Sequence, residues 1–209
     1  AHIDDRLLPG DRIELYVNDE YLGLREDSRL FEAASPALDI LYEDENLLLL
    51  IKPQGLLCHE DAHEKRDTLV NRMLRYLAAS GQYRPEEEQS FTPALCNRID
   101  RNTAGIVLAA KTAAAAREID SLLRDRRLEK RYLCVALGMF EEPHGVLRGW
   151  HTKDTEENRV TITARPRPGA KTAVTEYRVI ACRGTYTLCE VTLHTGRTHQ
   201  IRAHLASIG

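Results

Sequence analysis

Two short stretches of this 209-residue chain concentrate groups able to do chemistry. The first runs Asn97-Arg98-Ile99-Asp100-Arg101-Asn102-Thr103-Ala104-Gly105 and sets one carboxylate between two arginines, just before an apolar run. Fixed positive charge beside a carboxylate favours its ionised form, so Asp100 is suited to act as a nucleophile or base at neutral pH. The same string would also serve as an ordinary surface ion pair. The second stretch, His194-Thr195-Gly196-Arg197-Thr198-His199-Gln200-Ile201-Arg202-Ala203-His204, is dense in hydrogen-bond donors. Arginines, histidines, a glutamine and a glycine that lets backbone come close can grip phosphate and base, or form a polar loop. Its histidines recur every fifth residue with no acid among them, a spacing that matches neither a helical nor a strand pair of ligands, so no metal site is expected.

These stretches need elements to hold them. Ile13, Leu15 and Val17 alternate after a Pro9-Gly10-Asp11 turn and read as a short half-buried strand. The charged stretch that follows reads as a linker. Leu38, Ile40 and Leu41, an acidic turn and the apolar run from Leu47 to Ile51 predict a hairpin whose second strand is buried. Asp67 can cap a helix carrying Leu69, Val70, Met73, Leu74 and Leu77, ending near Gly81. A surface loop is expected from Tyr83 to Ser90, a strand from Gly105 to Ala110, and a helix starting at Thr112 with a basic end. Runs at Tyr132 to Leu137, Val160 to Thr163, Val174 to Ile180 and Tyr186 to Leu193 make the second half strand-rich. The fold class expected is α+β, a mostly antiparallel mixed sheet with flanking helices and a cleft across the sheet.

With 43% hydrophobic and 29% charged residues, the chain can close one sizeable core. No run approaches a membrane span and the N-terminus lacks the order of a signal peptide, so no membrane partner and a cytoplasmic location are expected. The five cysteines are dispersed without a CxxC pair and read as reduced thiols. A net charge of −3 argues mildly against a nucleic-acid partner. Basic residues nevertheless gather at Arg124, Arg126, Arg127, Lys130 and Arg131, and again at Arg165, Arg167 and Lys171, which would allow one basic face.

Taken together, the motifs resemble one family. NRIDRNTAGIVLAAKT resembles the HRLDxxTSG signature of RluA-type pseudouridine synthases, and HTGRTHQIRAHLASIG is similar to that family's later motif. IKPQGL, KRYLCVALG and KTAVTEYRVI match in order, so the resemblance runs from about Leu38 to Gly209. It implies an isomerase that converts uridines of structured RNA to pseudouridine by flipping the base and remaking the glycosidic bond. Ribosomal RNA is favoured over transfer RNA as the partner, with no obligate protein partner. By the same resemblance Asp100 matches the catalytic aspartate, acting on the ribose or the base, and Tyr132 the tyrosine that stacks on the target. Arg202 matches the arginine that pairs with the aspartate, and Arg98 an arginine that helps replace or hold the extruded nucleotide. Neither a GxxxxGK[ST] nor a GxGxxG is present, so no cofactor is expected.

Asn97, Ile99 and Ala104 depart from the family's usual residues, and Asn97 and Ala104 bear on how the motif loop is braced. Residues 1–20 are similar to the end of a small S4-type RNA-binding module, 21–37 then forming the linker and 38–209 the catalytic domain. Gly209 follows directly on the last motif, so this domain is expected to lack its C-terminal part and to leave sheet edge and apolar surface uncovered. Two other functions compete: a non-catalytic RNA-binding module of the same fold, and a glycoside hydrolase. The latter needs a second carboxylate that the motifs do not offer.

Overall fold

A computed structural model describes residues 26–86, 91–154 and 159–209. The expected strand at 12–17, the S4-like segment at 1–20 and the first part of the linker lie outside these residues. From Glu26 to Ala33 the chain makes 3-10 turns that seat Phe31 and Ala34 in the interior, against the first helix. The described part of the segment expected as a linker is packed there.

The first body is a four-stranded antiparallel sheet with the order β1 (Asp39–Glu43), β2 (Leu47–Lys52), β4 (Gly105–Ala110), β3 (Ala94–Leu95). The hairpin and the buried second strand are as expected. On β2 alternate side chains point inward, and the row Leu48, Leu50, Lys52 is fully buried. Helix α1 (Leu69–Ala79) lays Leu69, Met73 and Leu77 into the same core at four-residue spacing. Its cap is Thr68, whose hydroxyl accepts from Asn71 N. Asp67, expected as the cap, instead accepts from Arg72 and from Ser35 N. A carboxylate one residue too early finds a stronger charge-assisted partner. Helix α2 (Ala113–Arg124) starts at Thr112 as expected and buries Ile119.

The second body is a five-stranded antiparallel sheet in the order β5 (Lys130–Leu137), β9 (Tyr186–Leu193), β8 (Lys171–Arg183), β6 (His144–Asp154), β7 (Arg159–Thr163). Tyr177, Cys189 and Val191 form its core, with Phe140 against Tyr177 at a centroid distance of 4.7 Å. Helix α3 (Gln200–Ser207) packs on β6, β7 and β8. The α+β class with antiparallel sheets is as expected, but the pairing divides into two sheets rather than one. The five cysteines are free thiols.

Candidate active site

Asp100 stands on the loop from β3 to β4, and the residues on either side of it are tied down. Asn97 Oδ1 accepts from Leu108 N at 2.7 Å, which fixes the loop to β4. Ile99 N donates to Cys58 Sγ at 3.5 Å, and the thiol donates to Ile99 O at 3.4 Å. Arg101 O accepts from Gly55 N and from Lys52 Nζ at 2.9 and 3.0 Å. Alternate residues are thus anchored while Asp100 between them keeps 37% of its side chain exposed, open to a reactant. Thr103 N closes a turn onto Asp100 O.

Lys52 is the least expected member of this site, being a lysine in the innermost row of β2. Its ammonium donates to Pro53 O, Leu56 O and Arg101 O at 2.9, 2.6 and 3.0 Å, using all three protons. Burial pushes its pKa down, opposed by the nearby Cys58 and Asp100. The lysine therefore clamps two loops and sets a buried positive charge near the carboxylate. The IKPQGL match gives Lys52 no role of its own. The available signal was a lysine at an inward-facing strand position.

The arginines flanking Asp100 in sequence do not pair with it. Arg101 Nε donates to Gly55 O at 3.0 Å, and Arg98 is exposed beside His59, whose pKa is lowered by burial and by that arginine. Successive residues of an extended loop diverge, so adjacency in sequence separates the charges. Across the junction between the two bodies, His199 Nε2 comes within 3.9 Å of Asp100 Oδ2. Tyr132, on β5, is close enough that its pKa is raised by burial first, then by Asp100 and Cys58.

His199 precedes α3 with a left-handed backbone, φ 51 and ψ 27. The conformation is uncommon outside glycine, though histidine adopts it more readily than most. Gln200 holds it. This buried amide accepts from Thr195 Oγ1 and Arg197 N and donates to Val174 O and Thr175 Oγ1, filling its whole capacity. His151 Nε2 donates to Thr198 O at 2.9 Å, and His204 Nδ1 meets Thr175 Oγ1 at 2.6 Å. Burial and the neighbouring His151 lower the His204 pKa. Much of the donor-rich stretch is therefore an internal anchor. His194 pairs with Glu176 at 2.9 Å, and His199 alone of its histidines meets Asp100.

Arg202 is exposed on α3 and lines a cavity of about 660 Å³ with Val135, Leu137, Phe140 and Tyr177. Among the described residues no ion pair joins it to Asp100, whereas the His199 ring comes within 3.9 Å of that carboxylate. No cluster of three or more metal-ligating side chains occurs among the described residues.

Comparison with known proteins gives this geometry a family. The model of the RNA pseudouridylate synthase family matches residues 46–207, which include every site residue above. An uncharacterized RNA pseudouridine synthase of Mycoplasma genitalium is 33% identical over 208 residues, covering 97% of this chain and 63% of that protein. The ribosomal large subunit pseudouridine synthase D of Haemophilus influenzae is 31% identical over 204 residues, 98% of this chain and 58% of its own. The chain thus spans about three fifths of these relatives' length. The solved structure of human RNA pseudouridylate synthase domain containing 4 shares the fold, with TM-score 0.64 and 24% identity over 87% of this chain and 68% of that one. The match of the family model to most of the chain shows that it belongs to the RNA pseudouridylate synthase family.

Proposed function

We propose that this chain carries the catalytic machinery of an enzyme that isomerises uridine to pseudouridine in structured RNA, in the cytoplasm and with ribosomal RNA as substrate. The observation that carries the reading is Asp100, a part-exposed carboxylate on a loop clamped by Lys52, with Tyr132 and His199 brought to it from the second body. Isomerisation breaks the bond between N1 and C1′ of the sugar, joins C1′ to C5, and moves the C5 proton so that N1 ends protonated. The base must first leave its stack and be held against the carboxylate. Tyr132 supplies an aromatic face, and stacking on such a face is worth about 1–3 kcal/mol per base. Lys52 sets a buried positive charge near Asp100 and His199 reaches within 3.9 Å of its carboxylate, so the loop that bears it is held for attack on the ribose or the base. Arg98, exposed on the rim, fits a role in filling the gap left by the flipped nucleotide. Arg202, on the exposed face of α3, fits one in gripping the strand from which that nucleotide comes. The ribosomal preference draws on the names of the relatives.

The deciding experiment incubates the protein with unmodified transcripts of bacterial large-subunit ribosomal RNA and of transfer RNA, and maps pseudouridine chemically. Conversion of specific uridines in the ribosomal transcript alone is expected. Conversion confined to transfer RNA would remove the ribosomal assignment, and none in either would remove the activity.

A further inference from the structure

Beside the carboxylate site, three cations from three different segments lie near one another, Arg197 with its Nε donating to Thr172 O at 3.2 Å, and among the described residues none is in an ion pair. Lys130 opens β5, Arg126 follows the last turn of α2, and Arg197 lies on the loop two residues before His199. Lys130 is half-buried, and its pKa is pushed down by burial and then by Arg126 and Arg197, so the three charges feel one another. A Cβ added at Gly196 would sit 3.4 Å from Lys130 Nζ, so the ammonium lies over a backbone that carries no side chain. The acids nearby are already committed. Glu129 pairs with Arg131 at 2.7 Å and Glu176 with His194 at 2.9 Å, and among the described residues no carboxylate lies within 4.0 Å of the three cations.

Arg126 is also held with φ 57, at the helix-ending position where glycine is the usual residue. The macrodipole of α2 favours a cation at its C-terminus, which could account for Arg126. It does not account for Lys130 and Arg197, which come from elsewhere. Arg126, Arg127, Lys130, Thr192 and His194 line a cavity of about 270 Å³ together with Glu129, whose carboxylate is paired with Arg131; Arg197 lies outside this lining, on the Gly196 side of Lys130. Like charges crowded together are costly unless an anion arrives to neutralise them.

We propose that Arg126, Lys130 and Arg197 form a seat for one backbone phosphodiester of the RNA, next to the nucleotide that enters the Asp100 site. The proposal rests on the RNA reading above and sharpens it, because it fixes the strand where the loop bearing His199 begins. A single seat of this kind sets register without reading sequence.

The test measures binding of a fluorescent oligouridylate to the whole chain by anisotropy across a salt series. Lys130→Gln and Arg197→Gln are each expected to weaken binding several-fold at low salt, and to lower the slope of log affinity against log salt by about 0.7 for a single strand. Arg178→Gln, which removes a cation already paired with Glu190 at 3.1 Å, should leave the slope unchanged and serves as the control. Arg126→Gln alters an exposed side chain and provides a variant with little risk to folding, checked by thermal melting. Unchanged slopes in all three cluster variants, or no salt-dependent binding by the parent, would overturn the seat. Equal competition by polyglutamate would show a general anion site and also overturn it. Pseudouridine mapping separates the two readings: a cluster-dependent slope with no isomerisation of any RNA sinks the activity and leaves the seat standing.

Discussion

At the residue scale, the role proposed for Asp100 is a chemical one, whereas affinity for RNA is assigned to arginines and lysines. Asp100→Asn keeps size and most hydrogen bonding but loses the anion. It is expected to abolish pseudouridine formation while RNA affinity stays within a few-fold; full turnover in this variant would sink the mechanism. Lys52→Met tests the clamp instead. It leaves the carbonyls of Pro53, Leu56 and Arg101 without their shared donor in a buried position. A loss of about 1–3 kcal/mol in denaturant unfolding is expected, with slower turnover as the Asp100 loop loosens. Unchanged stability would mean that water takes over the three carbonyls at no cost.

At the scale of elements, α3 is tied to the strands under it by buried polar groups, Gln200 and His204, while Ile201 packs on the apolar core of the sheet. His204 is buried with its pKa held below the free value of 6.5 by burial and by His151. The folded state then resists protonation that the unfolded chain accepts, so stability is full above about 6.5 and declines as pH falls toward the folded pKa. Melting temperatures should fall on acidification in that window, and His204→Gln should remove part of the slope, with His59, which is shifted the same way, contributing another part. An identical pH profile in parent and variant would rule out this histidine as the source. A second prediction concerns Gly149 on β6, where an added Cβ would lie 2.3 Å from Ile162 Cγ2 and 3.7 Å from His204 Nε2. Gly149→Ala should cost about 1–3 kcal/mol through overpacking, read in the same melts.

At the scale of the whole molecule, the two sheets differ in how their outer surfaces are finished. β5 is an edge of the second sheet and exposes Leu133, Val135 and Leu137 at 67–73%, with Met139 just beyond. A long apolar edge invites pairing with another chain. Leu133→Lys with Leu137→Lys is therefore expected to lower light scattering in concentrated solution without lowering the melting temperature, because both side chains are already in solvent. Scattering that is unaffected would show that this edge does not drive self-association. No helix among the described residues is long and apolar enough to cross a membrane.

Elements whose buried rows are apolar can be read from the order of residues alone, as can residues whose chemistry is carried in a motif. β2, β4, α1 and α2 follow from runs and periods that any amphipathic reading finds, while Asp100 and Tyr132 come from different sheets and lie near enough for Asp100 to help raise the tyrosine's pKa. Strand β6 was not legible, because its inward row is Gly145, Leu147, Gly149 and His151, so hydrophobic alternation is almost silent. Helix α3 was hidden in the same way, since its fully buried side chains are the polar Gln200 and His204. Pairings across the junction were the least accessible. Asp100 has arginines on both sides in the chain, yet the basic side chain that reaches it is His199, ninety-nine residues away, and Lys52 holds its loop from another strand. Local sequence sets which groups are available. Which of them meet depends on the direction in which each backbone segment turns its side chains, and only the packed sheets and their loops decide that.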